Sequence, residues 1–247
     1  MYTPQDISKL LFLDIETVRG TDTYEELSEQ MQKMWHLKAK RIEPESTKTD
    51  AEKYLEYAGI YAEFGKIVCI SFGTCKYDDK EKRISRFFVK SVYGADEREL
   101  LRQFANILDT KAKDKTLCAH NGKEFDFPYM CRRFLILQIH IPKILETQGK
   151  KPWEISHVDT MEMWRFGDYK AYTKLELLCA IFEIPTPKDD IDGSQVGKVF
   201  WEEKDAERIA TYCEKDVLAT AQVFLKYSLQ PLLKEEEVDF LDKVACN

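Results

Sequence analysis

The feature that most constrains this 247-residue chain is the way short apolar runs take turns with amphipathic stretches. Lys9–Ile15 (KLLFLDI) is too short for a typical helix and carries acids at its end, so it reads as a buried strand. Lys66–Thr74 and Arg83–Val89 are strand-like and flank the polar segment YDDKEK, which predicts a hairpin. Residues 96–108 place Leu100, Leu101, Phe104, Ile107 and Leu108 on one helical face. Thr116–Ala119 reads as a short buried strand, Phe127–Leu137 as a buried helix and Ile155–Val158 as another short strand. A helix over Thr173–Phe182, with Thr173 as its N-cap, is stopped by IPTP, and a last helix covers Asp205–Tyr227. Strands and helices that alternate after an opening antiparallel hairpin predict an α/β fold, a mixed sheet flanked by helices.

Between Thr21 and Glu63 the character changes. This stretch is charged and Tyr-rich, with helix-like apolar spacing at Met31, Met34, Trp35 and Leu37. It reads as a charged helical insertion at about 21–63 within one domain covering 1–247. The 37 Lys and Arg against 44 Asp and Glu give a net charge of −7, which argues against a domain that grips nucleic acid by bulk charge. Seven cysteines, at 69, 75, 118, 131, 179, 213 and 246, form no C-x-x-C pair and mostly lie in apolar segments. They read as buried free thiols of a reduced, cytoplasmic protein. The N-terminal segment lacks the pattern of a secretory signal, and no apolar stretch is long enough to span a bilayer.

Acids mark the candidate site. Asp14 and Glu16 are two apart on a strand, so both carboxylates point to one face, where like charges repel. A hard cation with oxygen ligands explains why both would be kept there, although the pair alone is equally a solvated strand end. Asp126 opens the helix after TLCA, where the helix dipole already favours an acid. Its neighbours Phe125, Phe127 and Asn121-Gly122 combine rings with a turn that lets backbone approach a ligand, which suits a nucleotide. Tyr212 and Asp216 are four apart on one helix face, at the edge of the stripe formed by Ile209, Cys213, Val217 and Phe224. Four acids from three separate places can converge on two divalent ions, the arrangement for phosphoryl displacement.

FLDIET at 12–17, HNGKEFDFP at 120–128 and YCEKD at 212–216 occur in the order found in the DEDD superfamily of 3′-5′ exonucleases, and the sequence resembles that superfamily. With Tyr212 four residues before Asp216, and Thr211 five before it, the resemblance is to the tyrosine subclass. It looks nearest to predicted bacterial exonucleases related to the proofreading domain of family B DNA polymerases. The resemblance implies a ribonuclease H-like fold, with Asp14, Glu16, Asp126 and Asp216 ligating two Mg²⁺ or Mn²⁺ ions and Tyr212 orienting the attacking water. It further implies hydrolysis of single-stranded 3′ ends, DNA more than RNA, to nucleoside 5′-monophosphates. Asn121 and Phe125 would meet the terminal nucleotides, and Thr17, His120, Lys174 and Arg132 are further candidate substrate contacts.

Other readings are weighed beside this one. The DDIDGSQVG segment is no EF-hand, because Lys188 and Val199 stand at the loop positions that require acids. Lys170 and Lys174 lie near a helix start, where a phosphate could bind, although two isolated lysines are more often plain surface. Arg132 and Arg133 suit either phosphate or a neighbouring acid. Lys33, His36, Lys38, Lys40 and Arg41 read as a solvated helix face, and none of the four His has a partner at metal-ligand spacing. The competing functions are an RNA-trimming exonuclease and a non-catalytic nucleic-acid-binding protein of the same fold. The latter would have lost one of the four acids, and none is missing.

Overall fold

The computed structural model describes residues 1–168, 170, 172–185 and 191–246. A one-turn helix α1 (Pro4–Ile7), closed by a Thr3–Asp6 capping box, leads into β1 (Leu10–Arg19). Helices α2 (Glu29–Ala39) and α3 (Asp50–Tyr57) follow, then the hairpin β2 (Gly65–Asp78) and β3 (Arg83–Gly94). Next come α4 (Glu97–Thr110), β4 (Thr116–Ala119), α5 (Asp126–Ile136), β5 (Val158–Asp159), α6 (Thr160–Arg165) and α7 (Leu175–Ile181). The short α8 (Val196–Lys198) runs into a π-helical turn, Val199–Glu203, before the long α9 (Ala206–Tyr227) and two C-terminal strands, β6 (Val238–Phe240) and β7 (Val244–Cys246).

These strands form one mixed sheet in the order β5-β4-β1-β2-β3-β6, with β7 also on β3. β1 is central, antiparallel to β2 and parallel to β4. Side-chain parity along β1 assigns its faces. Leu11, Leu13 and Ile15 pack with Leu100, Leu101, Phe104 and Leu108 of α4 and with Phe127, Met130 and Phe134 of α5. Leu10 and Phe12 pack on the opposite face with Val217 and Phe224 of α9, and Val18 packs there with Ile209 and Cys213. Asp14 and Glu16 share the parity of Phe12 and Val18, so both are delivered under α9. Opposite them the pairing slips: Glu16 faces Cys69 while Thr17 faces Ile67, leaving Val68 as the extra residue of a bulge on β2.

The stretch at 21–63 builds a small core of its own. Trp35 and Tyr54 are fully buried and meet edge to face at 5.3 Å, and Phe64 meets the same indole edge to face at 5.0 Å. Trp35 donates to the Asp50 carbonyl at 2.8 Å, and buried Lys53 donates to the Ala39 and Ile42 carbonyls at 3.1 and 2.7 Å, satisfying the end of α2. Of the four helix-spaced apolar residues, Met34 and Leu37 are exposed, because α2 has only α3 and the residues after it to pack against. Tyr129 of α5 donates to the Gly59 carbonyl at 2.8 Å and ties this segment to the sheet.

Two expectations need correction, and two strands were not expected. The helix expected from Thr173 begins later: Lys174 is the N-cap of α7 and makes no side-chain capping bond, while Thr173 is buried with its carbonyl engaged by His120. The strand expected over 155–158 is the two-residue β5, displaced to Val158–Asp159. β6 and β7 have no apolar run to announce them and form because β3 offers an unpaired edge. Asp189 and Asp190 of the DDIDGSQVG segment lie outside the described residues.

Candidate active site

Asp14 sits on β1 opposite Ser71, and Glu16 opposite Cys69. Both are partly buried beneath α9, where Cys213 places its Sγ 3.3 Å from Asp14 Oδ2. Ligand atoms of Asp14, Glu16 and Cys213 all lie within 4.8 Å of one another. Asp126 is buried at the first position of α5, and its Oδ1 accepts the Ile15 amide at 3.1 Å, which locks the α5 terminus onto the strand between the two acids. Tyr212 and Asp216, one helical turn apart on α9, share a side-chain hydrogen bond; Asp216 acts electrostatically on Glu16 and Asp14, and all three acids act on Tyr212. Sequence segments separated by up to about two hundred residues are thus brought to one place.

Within the cluster, burial and neighbouring acids work in the same direction on Asp14 and Glu16. Burial, then the charges of Asp126, Glu16 and Asp216, push Asp14 well above the usual carboxylate range, and Cys213 opposes this only through one hydrogen bond. Burial, then Asp216, raises Glu16 in the same way. Asp126 is raised chiefly by burial, against the lowering effect of the amides bonded to it. The Tyr212 hydroxyl is also pushed up, first by burial and then by Asp216 and Glu16, so it stays protonated at neutral pH. Convergent carboxylates held together in this manner are donors for hard divalent cations, whose charge removes the repulsion. The donor set fits such an ion.

A loop between β4 and α5 supplies the next layer. Asn121 takes a left-handed φ of 63°, and its Oδ1 is buried with no hydrogen-bond partner among the described residues, an acceptor left for a ligand. Gly122 lets this loop close: a Cβ there would stand 3.1 Å from the Phe127 ring. Phe125 is partly buried, 5.3 Å from the Tyr129 ring, and Thr17 neighbours the same tyrosine hydroxyl.

The remaining candidates are placed differently. His120 does not offer a free ring nitrogen, because Nε2 donates to the Thr173 carbonyl at 2.9 Å and Nδ1 pairs with the Thr160 hydroxyl at 2.9 Å. It ties β4 to the chain before α7. Arg133 is buried in a two-point ion pair with Glu97, Nη2–Oε2 at 2.5 Å and Nε–Oε1 at 2.8 Å, and its role is structural. Arg132 is exposed on α5 beside a groove lined by Pro128, Leu135 and Lys150. Lys174 is exposed at the start of α7.

One residue of consequence escaped the sequence reading. Asp159 is buried; its Oδ1 accepts the amides of Asn121 at 3.0 Å and Met161 at 2.9 Å, and its Oδ2 accepts that of Lys123 at 3.0 Å. It caps α6 and at the same time shapes the Asn121 loop. The available signal was the D-x-x-E pattern of Asp159 and Glu162, which marks a helix start.

A mixed sheet with β1 central, an antiparallel hairpin on one side, parallel strands on the other and helices on both faces is a ribonuclease H-like fold. The chain belongs to the family described as predicted 3′-5′ exonuclease related to the exonuclease domain of PolB, which it matches over residues 60–244. That range includes Asp126, Tyr212 and Asp216, whereas Asp14 and Glu16 precede it. The chain is similar to a DNA polymerase of Pyrococcus glycovorans, 25% identical over 182 residues, covering 64% of this chain and 22% of the polymerase. A DNA polymerase of Pyrococcus horikoshii is 27% identical over 182 residues, 65% of this chain and 14% of that one. The solved family B DNA polymerase of Pyrobaculum calidifontis shares the fold, with a TM-score of 0.50 at 14% identity over 89% of this chain and 24% of the polymerase. The chain therefore spans less than a quarter of the length of each of these relatives. No helix among the described residues is long and apolar enough to cross a membrane.

Proposed function

We propose that the protein is a metal-dependent 3′-5′ exonuclease of the tyrosine subclass, which removes nucleoside 5′-monophosphates from single-stranded 3′ ends, DNA in preference to RNA. The observation that carries this reading is the convergence of Asp14, Glu16, Asp126 and Asp216 at the meeting of β1, α5 and α9, where Asp126 and Asp216 both disfavour the charges of Asp14 and Glu16. Within a family of predicted 3′-5′ exonucleases, such a cluster is best explained as the seat of two divalent cations, Mg²⁺ or Mn²⁺. Those ions would supply the Lewis acidity that makes water a nucleophile near neutral pH and offsets charge on the departing oxygen.

The chain's own residues account for the rest. Asp14 and Glu16 on the rigid central strand, with Asp126 and Asp216 from the two flanking helices, would hold the ions. Tyr212 stays protonated, so its hydroxyl is suited to orienting the nucleophile and not to removing its proton. The orphan Asn121 Oδ1 would accept a hydrogen bond from the terminal nucleotide, and Phe125, on the same loop, would pack against it.

Purified protein incubated with 5′-labelled DNA and RNA oligonucleotides and Mg²⁺ or Mn²⁺ should give a ladder shortening from the 3′ end. A 3′ block or EDTA should stop it. The mechanism is wrong if no substrate is shortened, or if Asp14→Ala and Asp216→Ala retain the wild-type rate.

A further inference from the structure

A second feature lies on the α9 face of the sheet, beyond the acids. At the end of β1, three cations surround one indole: Lys66 Nζ is 4.6 Å from the Trp201 ring centroid, Lys204 Nζ 5.2 Å and Arg19 Cζ 5.7 Å. Trp201 donates to the Arg19 carbonyl at 3.2 Å and packs edge to face on Phe200, which Lys66 also covers at 4.7 Å. The π-helical turn Val199–Glu203 presents this ring, and it ends at Lys204 in the left-handed region at φ 56°. π turns are rare and often mark functional positions.

Among the described residues, only one of the three cations is neutralised by an ion pair. Asp22 pairs with Arg19 at 2.8 Å, but neither lysine has a carboxylate partner among the described residues. Glu97, the acid that acts most on Lys66, is already engaged by Arg133, and Glu203 is engaged by Arg208 at 2.6 Å. Aromatic faces hold cations in place without cancelling their charge toward a third group. In a chain of net charge −7, this is a local positive site. Three residue steps of strand, about 10 Å, take the chain from Glu16 to Arg19, and both Lys66 and Trp201 pack on the face that carries the acids.

We propose that Arg19, Lys66 and Lys204, gathered around Trp201, bind backbone phosphates of the single strand a few nucleotides upstream of the bond that is cut. The inference rests on the exonuclease reading for the direction of the strand, though not for the binding itself. Phosphates fit better than an acidic peptide because the cations are fixed and close together beside rings, where consecutive phosphates of one strand can be met in series.

The test is equilibrium binding of a 5′-fluorescent dT12 in EDTA, where no cleavage occurs, at several salt concentrations. Relative to wild type, Lys66→Met/Lys204→Ala should bind about tenfold more weakly at low salt, with a log-affinity against log-salt slope smaller by about 1.4, or 0.7 for each lost contact to a single strand. Lys66→Arg/Lys204→Arg should restore the slope, and Lys111→Ala, at the far end of α4, should leave it at the wild-type value. Thermal unfolding establishes that the double variant is folded, and if it is not, Lys204→Ala alone should still lower the slope by about 0.7. An unchanged slope in a folded variant overturns the proposal, as does equal displacement of dT12 by poly-glutamate of the same charge. Wild type that binds with the expected slope but cleaves nothing in Mg²⁺ or Mn²⁺ would uphold this site and refute the exonuclease reading.

Discussion

At Asp14 the proposed function and stability are opposed. Its carboxylate is held beside Glu16, Asp126 and Asp216, and both burial and these neighbours disfavour its charge. Asp14→Asn should therefore reduce nuclease activity at least about a hundredfold, as loss of a metal ligand does, while raising the unfolding temperature of the metal-free protein by a few degrees. Calorimetry in EDTA beside the oligonucleotide assay reads both effects, and a destabilised variant would contradict the electrostatic account. Asp159 poses the converse case. Asp159→Ala leaves the amides of Asn121 and Lys123 without their acceptor, so it should cost about 1–3 kcal/mol of stability. It should also lower activity through the displaced Asn121 loop while every proposed metal ligand remains, which a metal-binding titration would show as nearly unchanged affinity. The shared strand face of Asp14 and Glu16 and the shared helix face of Tyr212 and Asp216 were legible in the sequence because spacing alone fixes them, whereas their proposed roles came from the family resemblance. Asp159 was not, since its importance lies in which amides the fold brings to it, and neither was the occupancy of both His120 nitrogens.

Among elements, β1 and the segment at 21–63 show how unequally a sequence reveals structure. The strand follows from an apolar run, and its parity alone puts Asp14 and Glu16 on one face. The helix α2 was visible only as helical spacing and α3 not separately, and the choice of Trp35 as the buried residue depended on what stood opposite. Trp35→Ala removes a fully buried indole and should destabilise by about 3–5 kcal/mol. Because this small core adjoins the end of β1 through Gly59 and Tyr54, hydrogen exchange should report opening of 21–63 before the main sheet. Simultaneous opening of both would show that the segment is integral to the central core. The π-helical turn at 199–203 had no sequence signal at all, since apolar spacing there is compatible with an ordinary helical turn.

For the whole molecule, linkage between protons, metal and folding follows from the site. The folded-state values of Asp14, Glu16 and Asp126 are raised, so their contribution is fully present below the unfolded carboxylate range near 4 and is lost as pH rises through the folded values. In EDTA, the unfolding temperatures of wild type and Asp14→Asn should therefore be similar near pH 4 and diverge as pH rises, with wild type the lower. Saturating Mn²⁺ should reverse the order at neutral pH, since a ligand at about 100 times its dissociation constant adds about 2.7 kcal/mol to the state that binds it. If Mn²⁺ does not raise the wild-type transition, the carboxylates are not a metal site. The net charge is a poor guide at this scale, because the opposing local fields, acidic under α9 and basic around Trp201, disappear in the sum.

By itself, the sequence determined the alternating architecture, the shared face of Asp14 and Glu16 and the helical spacing of Tyr212 and Asp216, because strand and helix periodicities are local properties of the chain. Only the tertiary structure decided that Asp126 is fastened to the Ile15 amide, that Asp159 shapes the Asn121 loop and that three cations collect around Trp201. Those relations join residues about 40 to 180 positions apart, and long-range packing places them where no local period can.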